Sequence, residues 1–310
     1  NAAMHLITPQ QPHPLFNTAA TRRLEQQAAA TLPPHTLMQR AGLAVARLAQ
    51  ALAPHARTVW IACGPGNNGG DGLEAAMHLQ RDGRRVVVTW LGTPEHAPAD
   101  ARQSWQRALD AGVTWADEAP PGMTAADLCI DAVLGIGIAS TAPARAPDRR
   151  LLAVLAALQH SPAPVLAVDL PSGLDADTGQ FAAGFALPTG PISRQHPKSR
   201  HTLSLLTLKP GLFTAAGRDG AGNVWLDDLG VCPEPESPSA WLVGPALPAQ
   251  RSHASHKGSY GDVAIVGGEG LALRGMGMTG AALLAGSAAL HGGAGRVLVS
   301  LLDQDHATAI

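Results

Sequence analysis

Aromatic side chains are scarce in this chain: six tryptophans, four phenylalanines and one tyrosine in 310 residues. Charge is scarce too, at 15% of residues, and nearly balanced at a net of −2. No basic stripe runs along the sequence, which excludes a general nucleic-acid binder, because such proteins gain affinity by neutralising phosphates. Cysteine is limited to Cys63, Cys129 and Cys232. The first two sit in apolar strand-like runs, and no CxxC or Cys/His spacing of a zinc site occurs. They read as buried, reduced thiols in a reducing, cytoplasmic setting. Residues 1–13 lack a basic segment ahead of an apolar core, so no signal peptide is expected. Residues 271–290 come nearest to a membrane span. They contain Arg274, and the glycines at 270, 275, 277, 280 and 286 lie just before and within them. A glycine-rich loop leading into a buried helix is expected there, and no membrane partner.

What remains is globular in composition, with 45% hydrophobic residues, and long enough for two domains or one and a fraction. The most informative stretch is Gly64-Pro65-Gly66-Asn67-Asn68-Gly69-Gly70-Asp71-Gly72, directly after the apolar run Thr58-Val59-Trp60-Ile61-Ala62-Cys63. Residues 73–80 then read as helix. A strand, a glycine loop and a helix in series present backbone N–H groups at a helix N-terminus, where an anion is favoured. Glycine lets the backbone approach a phosphate closely. Asn67, Asn68 and Asp71 add more side-chain oxygen than a phosphate cradle needs, which suggests a cation or a polar ring as well.

The rest of the chain alternates. Residues 18–53 are helical in character, with a first helix starting at Thr21 and ended by Pro33-Pro34, and a second over about 36–53. Strands are expected at 59–63, 85–91, 126–130, 165–168 and 203–208, and helices at 73–80, 99–110 and 149–159. Such alternation with apolar strands implies a Rossmann-like three-layer α/β/α sandwich around a mostly parallel sheet. The first domain is expected over 1–232, followed by a linker at 233–240, where proline and glutamate alternate. Residues 241–310 hold a strand at 262–266 ending in glycines, a helix at 281–291 and a strand at 296–301, too few elements to close a core.

In a parallel sheet, ligands sit beyond the carboxyl ends of the strands. Three segments fall there: Asn67 to Gly72, Asp131-Ala132-Val133-Leu134-Gly135-Ile136-Gly137-Ile138, and Asp169-Leu170-Pro171-Ser172-Gly173-Leu174-Asp175. Together they would gather Asn68, Asp131, Asp169 and Ser172, an all-oxygen set suited to a hard cation rather than zinc. Two carboxylates in one pocket can divide labour, one holding a cation and one exchanging protons. Taken singly, each segment is an ordinary turn or cap. Their joint placement favours a ligand site.

These segments resemble the NAD(P)H-hydrate epimerase family, the N-terminal half of bifunctional nicotinamide-hydrate repair enzymes. The resemblance spans about residues 18–231 and includes Thr207-Leu208-Lys209-Pro210-Gly211-Leu212. His256-Lys257-Gly258-Ser259-Tyr260-Gly261-Asp262-Val263 and Gly280-Ala281-Ala282-Leu283-Leu284-Ala285 are similar to the opening of the ADP-dependent NAD(P)H-hydrate dehydratase, an incomplete ribokinase-like domain here. The resemblance implies that Asn67, Asn68, Gly69, Gly70 and Asp71 contact the hydrated dinucleotide. It implies that Asn68, Asp131 and Ser172 bind K+. Gly135, Ile136, Gly137, Ile138, Ala139, Ser140 and Thr141 would wrap the phosphates. Asp169 would lie against the nicotinamide ring as the acid–base group, and Ala281 would touch substrate in the dehydratase half. That half would need ADP or ATP, and its reaction is expected only in a longer chain. The substrates would be NADHX and NADPHX, and family members often pair as homo-oligomers. Two departures stand out. Ile136 replaces the threonine of the usual Gly-Thr-Gly, and residues 188–201 are unlike the family. The competing readings are a non-catalytic nucleotide-binding protein on the same fold, a small-molecule kinase and a Rossmann oxidoreductase. The last lacks the Gly-x-Gly-x-x-Gly spacing and its acidic ribose partner.

Overall fold

The computed structural model describes residues 4–138, 148–185, 199–232, 236–245, 251–269 and 277–301. They fall into two compact units, Asn1–Pro245 and Ala246–Ile310. The first opens with β1 (His5–Leu6), β2 (His13–Leu15), α1 (Thr18–Thr31) and α2 (Thr36–Leu52). α1 begins before Thr21 because the Asn17 side chain accepts the Ala20 N–H and caps the helix. The alternating series is β3 (Thr58–Cys63), α3 (Asn67–Arg81), β4 (Arg85–Trp90), α4 (Ala99–Asp110), β5 (Thr114–Trp115), β6 (Leu128–Ala132), α5 (Arg149–His160), β7 (Val165–Val168), β8 (Arg200–Leu205), α6 (Gly217–Ala221) and β9 (Asn223–Asp227).

Eight strands form one sheet in the order β1-β9-β8-β7-β6-β3-β4-β5, parallel throughout except for β1 against β9. The chain runs outward from β3 through β4 and β5. It then returns to β6, on the other side of β3, and runs outward again. That reversal creates a crevice at the carboxyl ends of β3 and β6.

Period-two alternation places the two faces of β3 in separate cores. Val59, Ile61 and Cys63 pack under α2, α3 and α4. Trp60 and Ala62 pack on the opposite face with Val154 and Leu158 of α5. The sheet is therefore covered on both sides, and apolar residues fill consecutive strand positions. Each fully buried aliphatic side chain of this kind contributes about 1.5–3 kcal/mol. Cys63 and Cys129 are buried thiols and Cys232 is exposed. Burial, and then the charge of Asp71, pushes the Cys63 thiol far above its ordinary value.

Of the linker expected over 233–240, residues 233–235 lie outside the described residues, and its end does not separate the two units. β10 (Ala240–Leu242) pairs antiparallel with β2, so these residues belong to the first unit and the division falls after Pro245. In the second unit, β11 (Asp262–Val266) and β12 (Arg296–Ser300) pair in parallel around α7 (Thr279–His291). The buried helix expected here is not found. Among the residues of α7 only Ala282 and Gly286 are buried, and Leu284 is 74% exposed. Two strands offer too little sheet to cover a helix that is apolar all round. Among the described residues, no helix is long and apolar enough to cross a membrane.

Candidate active site

The glycine cluster after β3 is helical rather than a loop. α3 begins at Asn67 with Gly66 as its N-cap, so Asn67 to Gly72 form its first turns. Three glycines, Gly69, Gly70 and Gly72, oppose helix formation by roughly 1 kcal/mol each. Close packing overrides that preference. A Cβ on Gly69 would lie 1.9 Å from the Gly64 carbonyl oxygen, and one on Gly70 would lie 2.6 Å from the Met38 methyl. The helix start is pressed against β3 and α2, and only glycine leaves room.

β6 ends in a buried polar pair. Asp131 lies within the strand, not after it as its sequence suggested. Its Oδ1 accepts the Ser172 hydroxyl at 2.5 Å and the Val133 N–H at 3.3 Å, and its Oδ2 accepts the Ser172 N–H at 3.0 Å. The Ser172 Oγ in turn accepts the Leu134 N–H at 2.8 Å. This fastens the turn after β6 to the turn after β7. Burial raises the Asp131 carboxyl above its ordinary value, against the lowering effect of these bonds.

β7 and β8 both end in a three-residue γ-turn. Leu170 donates to the Val168 carbonyl at 2.8 Å around Asp169, whose φ is 66°. Thr207 donates to the Leu205 carbonyl at 2.8 Å around Leu206, whose φ is 67°. Left-handed γ-turns are rare and strained, and such backbone costs about 1–3 kcal/mol per residue. Asp tolerates this region, whereas for a bulky leucine it is an outlier. The second turn also ends β8 at Leu205, short of the residue 208 expected from its apolar run.

Between the two turns sits Lys209, 1% exposed. Its ammonium donates to Asp169 Oδ1, to the Leu205 carbonyl at 2.7 Å and to Ser204 Oγ at 3.4 Å. Asp169 Oδ1 also accepts the Leu205 N–H at 3.2 Å. Sequence reasoning did not select Lys209. The signal was one charged residue inside an otherwise apolar run, and its partner lies 40 residues away.

A cavity of about 540 Å³ opens above these elements. Asn67, Asn68, Asp71, Gly135, Ile136, Gly137, Ile138 and Asp169 all line it, together with Lys209 and with Arg22 and Glu25 of α1. Gly69 and Gly70 are buried behind the wall, and Asp131 and Ser172 brace it without lining it. Ala139, Ser140 and Thr141 lie outside the described residues, as do residues 188–198 of the unfamiliar stretch. Ala281 stands in the first turn of α7, in the second unit. Ile136 packs on the apolar cluster of Leu15, Leu170, Leu174 and Leu212.

The cavity is acidic. The Asp71 carboxyl is held well above its ordinary value, first by burial, then by the charges of Asp169, Glu25 and Glu74, with Lys209 opposing. Glu25 is raised by partial burial and by Asp169, with Lys209 and Arg22 opposing. Asn68 Nδ2 is buried and has no partner among the described residues. Those residues hold no cluster of three or more His, Cys, Asp or Glu side chains placed to bind a metal. The chemistry on offer is a buried carboxylate fixed by a lysine, with a protonatable acid and two carboxamides around one space.

The same segments decide the family. Residues 34–211, more than half the chain, match the YjeF-related protein N-terminus. The chain belongs to the YjeF-related family. Three relatives place this YjeF-related chain further. The bifunctional NAD(P)H-hydrate repair enzyme Nnr of Escherichia coli K12 is 32% identical over 93% of this chain and 53% of its own length. That of Vibrio cholerae is 34% identical over 99% of this chain and 59% of its own length. That of Pyrobaculum aerophilum is 33% identical over 76% of this chain and 46% of its own length. The chain thus spans about half the length of the curated relatives it matches. The crystal structure of the yeast protein YNL200c is similar in fold, with a TM-score of 0.50 at 21% identity, covering 67% of this chain and 86% of that one.

Proposed function

We propose that the first unit interconverts the R and S forms of NAD(P)H-hydrate, the adduct a reduced nicotinamide cofactor forms with water. One observation carries this reading. The Asp169–Lys209 pair opens on the same cavity as Asn67, Asn68 and Asp71, in a family whose curated relatives are named for repairing that compound.

The substrate bears a hydroxyl on the ring carbon beside the ring nitrogen. Protonating that hydroxyl lets it leave as water, because the nitrogen lone pair stabilises the ring cation. Water then adds to either face of that carbon and loses a proton. A carboxyl beside the hydroxyl serves as acid in the first step and as base in the second, work worth ~10²–10⁴-fold. Asp169 holds that place. Asn67, Asn68 and Asp71 bind the ring and its amide. Residues 135–138, with the free N–H groups of the first turn of α3, hold the phosphates.

Asn68, Asp131 and Ser172 form the all-oxygen set that suits K+. Asp131 is a desolvated carboxylate, and the unpartnered Asn68 amide can turn its oxygen to an ion. Bound there, K+ supplies compensating charge and orders the turns. We further assign residues 246–310 to the opening of an ADP-dependent dehydratase domain. We expect no dehydration from these residues alone, and an assay giving ADP-dependent recovery of NADH from the hydrate would overturn that expectation.

The test is proton NMR of NADH-hydrate depleted of one epimer, with the chain present, first in potassium and then in sodium. Return to equilibrium faster than the spontaneous rate, and faster in potassium, is expected. No acceleration leaves a nucleotide-binding protein as the reading.

A further inference from the structure

The geometry points to Lys209 as a positioning residue for Asp169: it locks one carboxylate oxygen into the protein and leaves the other for the cavity. This rests on the assignment of Asp169 as the acid–base group.

Three observations support it. First, Asp169 Oδ1 is saturated, taking the Lys209 ammonium and the Leu205 N–H. No described residue hydrogen-bonds to Oδ2, and the side chain lines the cavity. A carboxylate held by one oxygen has a fixed plane, and its second oxygen meets whatever enters. Second, the lysine is spent entirely inside the protein. Its three hydrogens have three acceptors on Asp169, Leu205 and Ser204, and it is almost wholly buried. It has no donor to offer a substrate, so it acts through Asp169. Third, the two strained turns share this one contact. Leu205 O, which closes the turn at Leu206, also accepts from Lys209. Leu205 N donates to Asp169, the centre of the other turn. Strained backbone persists where its surroundings over-determine it, and it gathers at functional sites. Lys209 ties both turns into one rigid unit.

The charged groups facing Asp169 are Lys209, Asp71 from α3 and Glu25 from α1, with Arg22 at the rim. Among the described residues that line the cavity, Lys209 is thus the buried cation set against the carboxyls of Asp169, Asp71 and Glu25. Without it, a carboxylate among acids holds its proton to higher pH.

The test compares the unaltered chain with Lys209→Met, which keeps the length and the apolar stem but lacks the charge. Four results are expected. The acid limb of the epimerisation pH profile moves upward. kcat falls by about 10²-fold or more. KM for the hydrate changes by a few-fold at most. Methylamine added to Lys209→Ala restores part of kcat. A purely structural lysine would lower the amplitude of the profile without moving its limb, and methylamine would restore nothing; that result overturns the inference.

If neither variant folds, selectively 15N-labelled lysine in the unaltered chain decides. The Lys209 ammonium protons should be protected from exchange, and their resonance should move together with the Asp169 carboxyl on acid titration. A fast-exchanging Lys209 signal indifferent to Asp169 overturns the inference. An unaltered chain that fails to equilibrate the epimers instead overturns the proposed function, and the 15N measurement still decides the role of Lys209.

Discussion

Ser172 gives Asp131 two of its three donors: its hydroxyl reaches Oδ1 at 2.5 Å and its backbone N–H reaches Oδ2 at 3.0 Å, with the Val133 N–H as the third. One residue thus closes both oxygens of a buried carboxylate, and its own oxygen takes the Leu134 N–H. Ser172→Ala removes a donor from Oδ1 and an acceptor from Leu134. Each buried group left unsatisfied costs about 1–3 kcal/mol. Urea unfolding at pH 7 is expected to show a loss in that range. Epimerisation should also lose its preference for potassium over sodium, since the hydroxyl is one of the three proposed ligands. Unchanged stability would mean that water replaces the hydroxyl, and an unchanged potassium preference would remove Ser172 from the ion site.

Asp169→Asn separates the chemistry from the fold. Asparagine accepts the left-handed backbone at this position, and its carbonyl can still take the Leu205 N–H. It has no proton to give or take at neutral pH, so turnover should fall ~10²–10⁴-fold. Hydrate binding measured by calorimetry should change by a few-fold at most. The buried Lys209 would lose its counter-charge, and breaking one side of such a pair costs about 3–5 kcal/mol. The double variant Asp169→Asn/Lys209→Met should therefore lose less stability than the two single losses added together. Additive losses in urea unfolding would mean that the two groups do not interact.

The strand ends were legible where burial is continuous. Val165–Val168 is apolar at every position and buried on both faces, and its bounds follow from that run. Asp169 and Ser172 follow as the residues just beyond it. Elements governed by long-range packing were not legible. α3 begins at Asn67 because β3 and α2 leave no room for side chains at its start, which a glycine run does not reveal. β1, β5 and β10 have two or three residues each and exist by pairing with strands remote in sequence. The role of Lys209 appears only when a turn 40 residues away brings Asp169 to it.

The glycines of the first motif look equivalent in sequence and are not equivalent in space. A Cβ on Gly66 meets nothing within 4 Å, whereas one on Gly69 would lie 1.9 Å from the Gly64 carbonyl oxygen. Gly66→Ala should change stability by about 1 kcal/mol or less, the usual cost at an N-cap. Gly69→Ala forces the backbone apart and should cost about 1–3 kcal/mol or more. Thermal unfolding of the two variants side by side checks the ordering. A more damaging Gly66→Ala would mean that the helix start is packed differently.

Asp71 makes a prediction whose sign follows from its surroundings. Its carboxyl is raised in the folded chain, first by burial and then by Asp169, Glu25 and Glu74. The folded state therefore binds a proton that the unfolded chain has already released. Its contribution to stability is fully present below the ordinary carboxylate value near pH 4 and is lost as pH rises toward the folded value. Asp71→Asn removes that dependence. The variant should match the unaltered chain at pH 4 and be more stable than it at pH 8, by about 1.4 kcal/mol for each unit of elevation removed. Thermal melts at the two pH values measure the difference. In the proposed site a group that keeps its proton above the usual carboxylate range donates to bound hydrate, so Asp71→Leu, which has no donor, should weaken hydrate binding. Hydrate binding unchanged in Asp71→Leu would show that Asp71 shapes the cavity without touching its occupant.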